Sequence, residues 1–145
     1  MILVADTSGI IAAFDRNAPE GPSCRKLLQD AGTVILSPLV LAEVDHLARA
    51  RLGSAARATI LDLLTAQVRR LRFQVPDVRA ETLTTALAVM GRYADLDLDL
   101  ADAVTVALAA DYRTDTVLML DRRDFRAVRP LTPHPAFRLF PDDLQ

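Results

Sequence analysis

The sequence predicts an α/β fold, a three-layer sandwich in which helices cover both faces of a central, mostly parallel sheet. Strand-forming segments alternate with amphipathic segments along the chain, which is typical of that fold class. Two of the apolar runs, residues 2–6 and 117–121, each close on an aspartate. A buried parallel strand has this pattern, and the carboxyl ends of neighbouring strands form the ligand crevice of such sheets.

Two strands and four helices are predicted in the first half of the chain. The turn segment 17–22, with its prolines and glycine, separates the first two helices. The third helix begins cleanly, because Ser37 suits the N-cap and Pro38 the first helical position. Gly53 ends that helix, and an amphipathic pattern indicates another directly after it. In order, these elements are a strand at 2–5, helices at about 7–15 and 23–31, a strand at 33–36, and helices at about 38–51 and 54–69.

The second half of the chain continues the alternation. A strand over 71–75 is broken by Pro76. Segment 100–110 is apolar nearly all round, which predicts a helix that is buried on most faces. The elements are a strand at 71–75, helices at about 77–92 and 99–112, a strand at 116–120, a helical turn at 122–128 and a last strand near 137–140.

Length and composition are those of an ordinary globular protein. The 145 residues, 51% hydrophobic and 25% charged, predict a single domain spanning 1–145. No apolar run reaches the roughly 18 residues that a membrane span requires, and no signal segment opens the chain. Cys24 is the only cysteine, which excludes an internal disulfide and a cysteine-based zinc site. These features predict a cytoplasmic protein without a membrane segment.

The charge pattern is informative only locally. A net charge of −2 gives no general argument for nucleic-acid binding. All but one of the 17 basic residues are arginine, whose planar fork suits phosphate; a GC-rich genome gives the same bias and is the favoured interpretation. The arginine pairs at 49/51 and 122/123 would still provide local basic surface around an acidic site.

Asp102 is the most informative acidic residue. It lies in the apolar helix predicted over 99–112, where an ionised carboxylate is costly unless a cation or several donors compensate it. A helix-dipole effect of about 0.3–1 kcal/mol is too small to justify a buried charge, whereas a metal ion would suffice. Asp95 and Asp99 fall on roughly the same helix face and could join the site, but we expect them to be solvated at the helix entry.

Three other segments carry acids that can join Asp102. Asp6 follows the first strand, where a helix cap and a catalytic role are equally good interpretations. Glu43 lies in the second turn of its helix, a position that is commonly solvated, but its neighbours are mostly apolar. Asp121 is predicted to repeat the geometry of Asp6, and Asp124 is an auxiliary candidate one helical turn later. His46 is interpreted as structural.

Converging carboxylates favour one kind of chemistry. They repel one another and raise at least one pKa unless a cation is bound. Mg²⁺ prefers a few carboxylates with waters and phosphate oxygens in its remaining positions. The pattern therefore predicts metal-assisted hydrolysis of a phosphodiester bond.

Together these motifs resemble the PIN domain and, more narrowly, the VapC toxins of bacterial type II toxin–antitoxin pairs. The match covers almost the whole chain, with the acidic motifs in family order. One departure is Met119, where family members often carry Thr or Ser two residues before the last acid. The segments that carry the resemblance are Asp6-Thr-Ser, 37–43, 100–109 and 120–125.

The resemblance implies a Mg²⁺- or Mn²⁺-dependent endoribonuclease. Its catalytic and metal-binding acids would be Asp6, Glu43, Asp102 and Asp121. Asp124 would be an additional metal ligand or, like Ser8, a supporting group. The resemblance also implies a homodimer, and a VapB-like antitoxin whose C-terminal segment covers the active site.

Two other functions compete with this interpretation. A phosphotransfer domain using Asp6 fits poorly, because position 8 is serine where a dehalogenase-like phosphatase needs aspartate, and because the only lysine, Lys26, is not late in the chain as receiver domains require. A non-catalytic PIN-like scaffold that binds RNA or protein is the stronger alternative, although such scaffolds normally lack one or more acids.

The helices predicted over 38–51 and 54–69 support association independently. They carry more apolar surface than one small sheet is expected to cover, so we predict an exposed patch, a symmetric dimer and a groove for a partner helix. The residues concerned are Leu39, Leu41, Val44, Leu47, Leu52, Ile60, Leu63, Leu64 and Val68.

Overall fold

The computed structural model describes residues 1–144, and its elements alternate as the sequence predicts. In chain order they are β1 (Ile2–Ala5), α1 (Thr7–Phe14), α2 (Gly21–Asp30), β2 (Thr33–Leu36), α3 (Pro38–Leu52), α4 (Ser54–Arg69), β3 (Phe73–Gln74), α5 (Ala80–Arg92), α6 (Leu100–Asp111), β4 (Thr116–Leu118), a 3-10 turn (Phe125–Ala127) and β5 (Arg138–Phe140).

The five strands form one sheet in the order β3-β2-β1-β4-β5, and every pairing is parallel. Successive side chains of a strand point to opposite faces, so each strand contributes to two hydrophobic cores. Leu3 and Leu36 pack with α1–α4 on one face, while Val4 and Ile35 pack with α5 and α6 on the other. This arrangement confirms the predicted three-layer α/β fold.

Element boundaries differ from the predictions where long-range pairing decides them. The strand predicted over 71–75 is only two residues long, because β3 pairs only with β2 at the sheet edge. The strand predicted over 116–120 ends at Leu118. Beyond that residue, the Leu120 N–H donates to the Ser8 hydroxyl (3.0 Å) instead of to a neighbouring strand.

Arg72 ties the edge of the sheet to the end of α2. Its Nη2 donates to the carbonyl oxygens of Leu28, Gln29 and Ala31 at 2.7–3.1 Å. A cation is favourable at a helix C-terminus, where carbonyl groups lack partners within the helix.

Replacing Arg72 with methionine is expected to destabilise the protein by about 1–2 kcal/mol, because these carbonyls lose a charged donor. Urea unfolding measures the change. Arg70→Met is the matched control, since Arg70 is exposed and next to the same strand. Equal stability of the two variants would show that the hydrogen bonds from Arg72 to the end of α2 do not contribute to the free energy of unfolding.

The prediction of a wide apolar surface on α3 and α4 is wrong. Val44, Ile60 and Leu64 are buried in the first core, and of the nine predicted residues only Leu63 is classed as exposed (48%). The other five are partly buried and pack against the cores, because α3 and α4 lie against each other and α3 also lies against α1. Among residues 1–144, no helix is long and apolar enough to cross a bilayer.

Candidate active site

Asp6 links the central strand to the first helix. It follows β1 directly and is the N-cap of α1, where its Oδ2 accepts from the Ser8 hydroxyl (2.9 Å) and the Ser8 N–H (3.3 Å). Its side chain is buried, with 8% of the residue exposed. Burial raises the pKa of Asp6, and the hydrogen bonds from Ser8 and Thr7 offset only part of that rise. The cap and the candidate site are therefore the same carboxyl group.

Ser8 connects Asp6 to the distant part of the chain. Its hydroxyl donates to Asp6 and accepts from the Leu120 N–H, so it fixes the loop after β4 against the start of α1. This contact spans 112 residues of sequence.

Ser8→Ala is expected to cost about 1 kcal/mol of stability and to lower activity, because the Leu120 N–H loses its acceptor and the Asp6 carboxyl loses a donor. Thermal unfolding and a cleavage assay measure the two effects. Thr84→Ala, which removes the hydroxyl of an exposed residue of α5, is the control and should alter neither stability nor activity. An active, fully stable Ser8→Ala protein would contradict the linking role.

Glu43 reaches the same region from α3. That helix begins at the Ser37 N-cap, whose hydroxyl accepts from the Leu39 N–H (3.2 Å). Burial raises the pKa of the half-buried Glu43, and the charges of Asp99 and Asp6 raise it further. The nearby Thr7 hydroxyl lowers the pKa of Glu43 slightly. The distance and angle between the two groups do not meet the geometry of a hydrogen bond.

Asp99 and Asp102 form a reciprocal cap at the start of α6. The Asp102 N–H donates to Asp99 Oδ1 (2.9 Å), and the Asp99 N–H donates more weakly to Asp102 Oδ2 (3.4 Å). Eight of the twelve residues of α6 are buried, as predicted from its apolar sequence. Burial, followed by the charges of Asp99 and Asp6, raises the pKa of Asp102 to about 7.

These carboxyls line one cleft of about 400 Å³ at the carboxyl ends of the strands. All five predicted acids line this cleft: Asp6, Glu43, Asp102, Asp121 and Asp124. Within the described residues, two further acids, Asp97 and Asp99, also line it.

One positional expectation is wrong, and a second is fulfilled only in part. Asp121 does not repeat the geometry of Asp6: it is exposed, three residues beyond the end of β4, because the intervening loop is held by Ser8. Asp99 is exposed as expected but lies in the cleft, since the cap with Asp102 fixes its position. The three-residue spacing of Asp99 and Asp102 at the start of α6 is the sequence signal from which this cap could have been predicted. Asp95 and His46 lie outside the lining.

The residues present fit a hard divalent cation in donor type and in charge. Carboxylate oxygens are the ligands that Mg²⁺ and Mn²⁺ prefer, and the mutual repulsion at Asp102 is relieved by positive charge. Within residues 1–144, no three acidic, histidine or cysteine side chains already converge as a complete metal site.

The raised pKa of Asp102 predicts how the stability of the metal-free protein depends on pH. The folded state holds a proton that the unfolded chain releases near its ordinary pKa of 3.8, so stability falls as pH rises from about 4 to 7. We expect a loss of roughly 1–2 kcal/mol between pH 5 and 8, after allowing for solvent screening of the partly buried Asp102 carboxyl.

Thermal unfolding in EDTA across that pH range measures this loss. Asp115 and Asp143 have lowered pKa values, and they reduce stability only at pH values below this window. A melting temperature that is flat or rises towards pH 8 would contradict the repulsion inferred at Asp102.

Comparison with known proteins adds independent evidence. The family model described as the PIN domain matches residues 3–130. A curated relative, ribonuclease VapC26 of Mycobacterium tuberculosis, is 33% identical over 130 residues, which are 89% of this chain and 93% of that protein.

Solved structures share the fold at lower identity. The Mycobacterium tuberculosis toxin VapC20, described as cleaving the sarcin–ricin loop, has a TM-score of 0.73 at 20% identity, covering 86% of this chain and 94% of its own. A toxin–antitoxin complex from Klebsiella pneumoniae contains a chain with a TM-score of 0.62 at 20% identity, covering 90% and 98%.

Proposed function

Because this chain belongs to the PIN-domain family, and within it to the VapC ribonucleases, we propose that it is the toxin of a type II toxin–antitoxin pair and hydrolyses RNA phosphodiester bonds with a divalent metal ion. The observation that carries this proposal is the crowding of Asp6, Glu43 and Asp102 around Asp99 in one cleft, where each of those three carboxyls has a raised pKa.

Asp6, Glu43 and Asp102 would hold Mg²⁺ or Mn²⁺, and Asp121 and Asp124 would approach from the loop after β4. A bound ion would supply charge neutralisation at the phosphate and a coordinated water that is a stronger acid than bulk water. Hydrogen bonds within the protein arrange two of these carboxyl groups. Ser8 orients Asp6 through a hydrogen bond, and the cap on α6 orients Asp102 through its backbone.

A cleavage assay on purified chain and total RNA tests the proposal, in EDTA and with Mg²⁺, Mn²⁺ or Ca²⁺ added. We expect cleavage with Mg²⁺ or Mn²⁺ only, and its loss in Asp6→Asn. Asp95→Asn is the matched control, because Asp95 is exposed and lies outside the cleft lining. Cleavage in EDTA, or by Asp6→Asn, would refute the metal mechanism. A wild-type chain that binds RNA but never cleaves it would support the non-catalytic scaffold instead.

We also propose an antitoxin partner and a homodimer. The Klebsiella pneumoniae structure, a toxin–antitoxin complex, supports the first, and the family resemblance supports the second. Co-expression with the protein encoded beside this one should give a stable complex that no longer cleaves RNA. Sedimentation of the free toxin at micromolar concentration should give a dimer, and a strictly monomeric species would refute it. Because the proposed substrate is RNA, we propose that the protein acts in the cytoplasm.

A further inference from the structure

We propose that Arg51 and Arg123 bind phosphates of the RNA strand on opposite sides of the acidic cleft, so that the strand crosses the cleft from α3 to the loop after β4. This inference rests on the proposed ribonuclease function and deepens it. It concerns which residues hold the substrate, and the acids alone cannot supply that function because they carry the same charge as the phosphates.

The topology places the two arginines on either side of Asp6. In the sheet, β1 lies between β2 and β4, and Asp6 follows β1. Arg51 belongs to α3, the helix that follows β2, whereas Arg123 belongs to the loop that follows β4. Both side chains line the cleft.

Arg51 lies on the same face of α3 as Glu43. The two residues are eight positions apart with Leu47 midway, which puts all three on one helix face, and all three line the cleft. At 1.5 Å per residue, Arg51 is roughly 12 Å along the helix axis from Glu43. Arg51 is exposed, and within the described chain no carboxylate lies at ion-pairing distance from it. Its guanidinium is available to a ligand.

Arg123 is the least engaged arginine of its loop. Its side chain is 86% exposed, and its ion pair is a long contact of 3.7 Å between Nε and Asp124 Oδ1. Arg122 and Arg126, by contrast, pair with Asp142 at 3.5 and 2.7 Å, outside the cleft. Arg123 can therefore turn towards a bound strand without breaking a strong contact.

The charge of the cleft explains why such residues are needed. Its lining holds seven carboxyl groups and two arginines, so an approaching polyanion is repelled except where positive charge is provided. A metal ion at the acids attracts the phosphate that is cut. Arginine forks on both sides can bind the neighbouring phosphates through paired N–H donors, which fixes the strand across the cleft.

Two matched pairs of variants test the inference. Arg51→Gln is compared with Arg49→Gln, which removes the same charge from an exposed residue of α3 that does not line the cleft. Arg123→Gln is compared with Arg122→Gln, its neighbour outside the lining. The measurements are RNA cleavage kinetics, and fluorescence anisotropy of a short labelled single-stranded RNA of mixed sequence, bound to each variant in an inactive Asp6→Asn background.

Each cleft arginine variant is expected to weaken RNA binding about five- to tenfold and to raise KM with little change in kcat. Each should also reduce the slope of log K against log salt by about 0.7, the value for one phosphate contact on a single strand. The controls should keep the parent affinity and slope. Melting temperatures of all four variants should match the parent, which excludes a merely structural role.

If the cleft variants match their controls in affinity, KM and salt slope, or if only one of them differs, the proposal that Arg51 and Arg123 bind phosphates on both sides of the cleft is wrong. Weakened binding of antitoxin without any change in RNA binding would also overturn it. These results are separate from failure of the proposed function, which would appear as a wild-type chain that does not cleave RNA at all.

Discussion

Asp102→Asn is expected to reduce RNA cleavage by at least about 100-fold while raising the stability of the metal-free protein. Activity falls because a metal-binding carboxylate is lost. Burial, and then the charges of Asp99 and Asp6, raise the pKa of Asp102 to about 7. Stability rises at pH 8 because the amide brings no charge into this partly buried position and does not repel Asp99 and Asp6. The amide oxygen can still accept from the Asp99 N–H, so the start of α6 should remain intact.

Cleavage rates and thermal unfolding in EDTA measure the two effects. We expect a melting temperature about 2–5 °C above wild type at pH 8, with little difference at pH 5, where Asp102 is already protonated. Asp95→Asn is again the control and should change neither property. A lower melting temperature for Asp102→Asn in EDTA would instead assign this carboxylate a structural hydrogen-bonding role.

Gly9→Ala is expected to destabilise the protein by about 1–3 kcal/mol and to impair cleavage. Gly9 is buried on α1, where an added Cβ would lie 2.5 Å from Leu118 Cγ and 3.0 Å from the Leu118 carbonyl oxygen. The side chain of Leu118 cannot relieve the backbone contact, so α1 must move away from β4. That movement would strain the neighbouring contact between Ser8 and Leu120.

Gly91→Ala is the matched substitution, because Gly91 lies in α5 and an added Cβ meets no atom within 4 Å. It should stabilise the protein by about 0.5–1 kcal/mol, since alanine loses less conformational entropy than glycine in a helix. Urea unfolding compares the two variants. If Gly9→Ala were as stable as Gly91→Ala, the close approach of α1 to β4 would not be required.

The fold was predictable because its signals are local. Apolar runs identified the three central strands, and the Ser37-Pro38 pair located the start of α3. Lengths of the edge elements were not predictable in this way. The two residues of β3 and the early end of β4 depend on which backbone groups find partners across the molecule, as when the Leu120 N–H bonds to Ser8.

In the candidate site, too, the features set by local sequence were predictable and those set by long-range contacts were not. Asp6, Glu43 and Asp102 stood out because each is a charge in an apolar or strand-final context, and the structure brings them to one cleft. The expectation of a solvated Asp99 missed its place in the cleft, because a residue that caps a helix can be exposed and still belong to a site. The coverage of α3 and α4 was mispredicted because their apolar residues pack against other helices as well as the sheet.

The position of β1 at the middle of the sheet has a consequence for synthesis of the protein on the ribosome. One neighbour of β1, β2, is synthesised soon after it, whereas the other, β4, is synthesised near the end of the chain. The Leu120 N–H that donates to the Ser8 hydroxyl is likewise added 112 residues after Ser8. Domains fold as units during translation. A nascent or prematurely terminated chain that lacks β4 has Asp6 without the support of Leu120. A growing polypeptide with this topology has no complete cleft until almost all of the chain has been translated, because residues as late as Phe125 contribute to its lining.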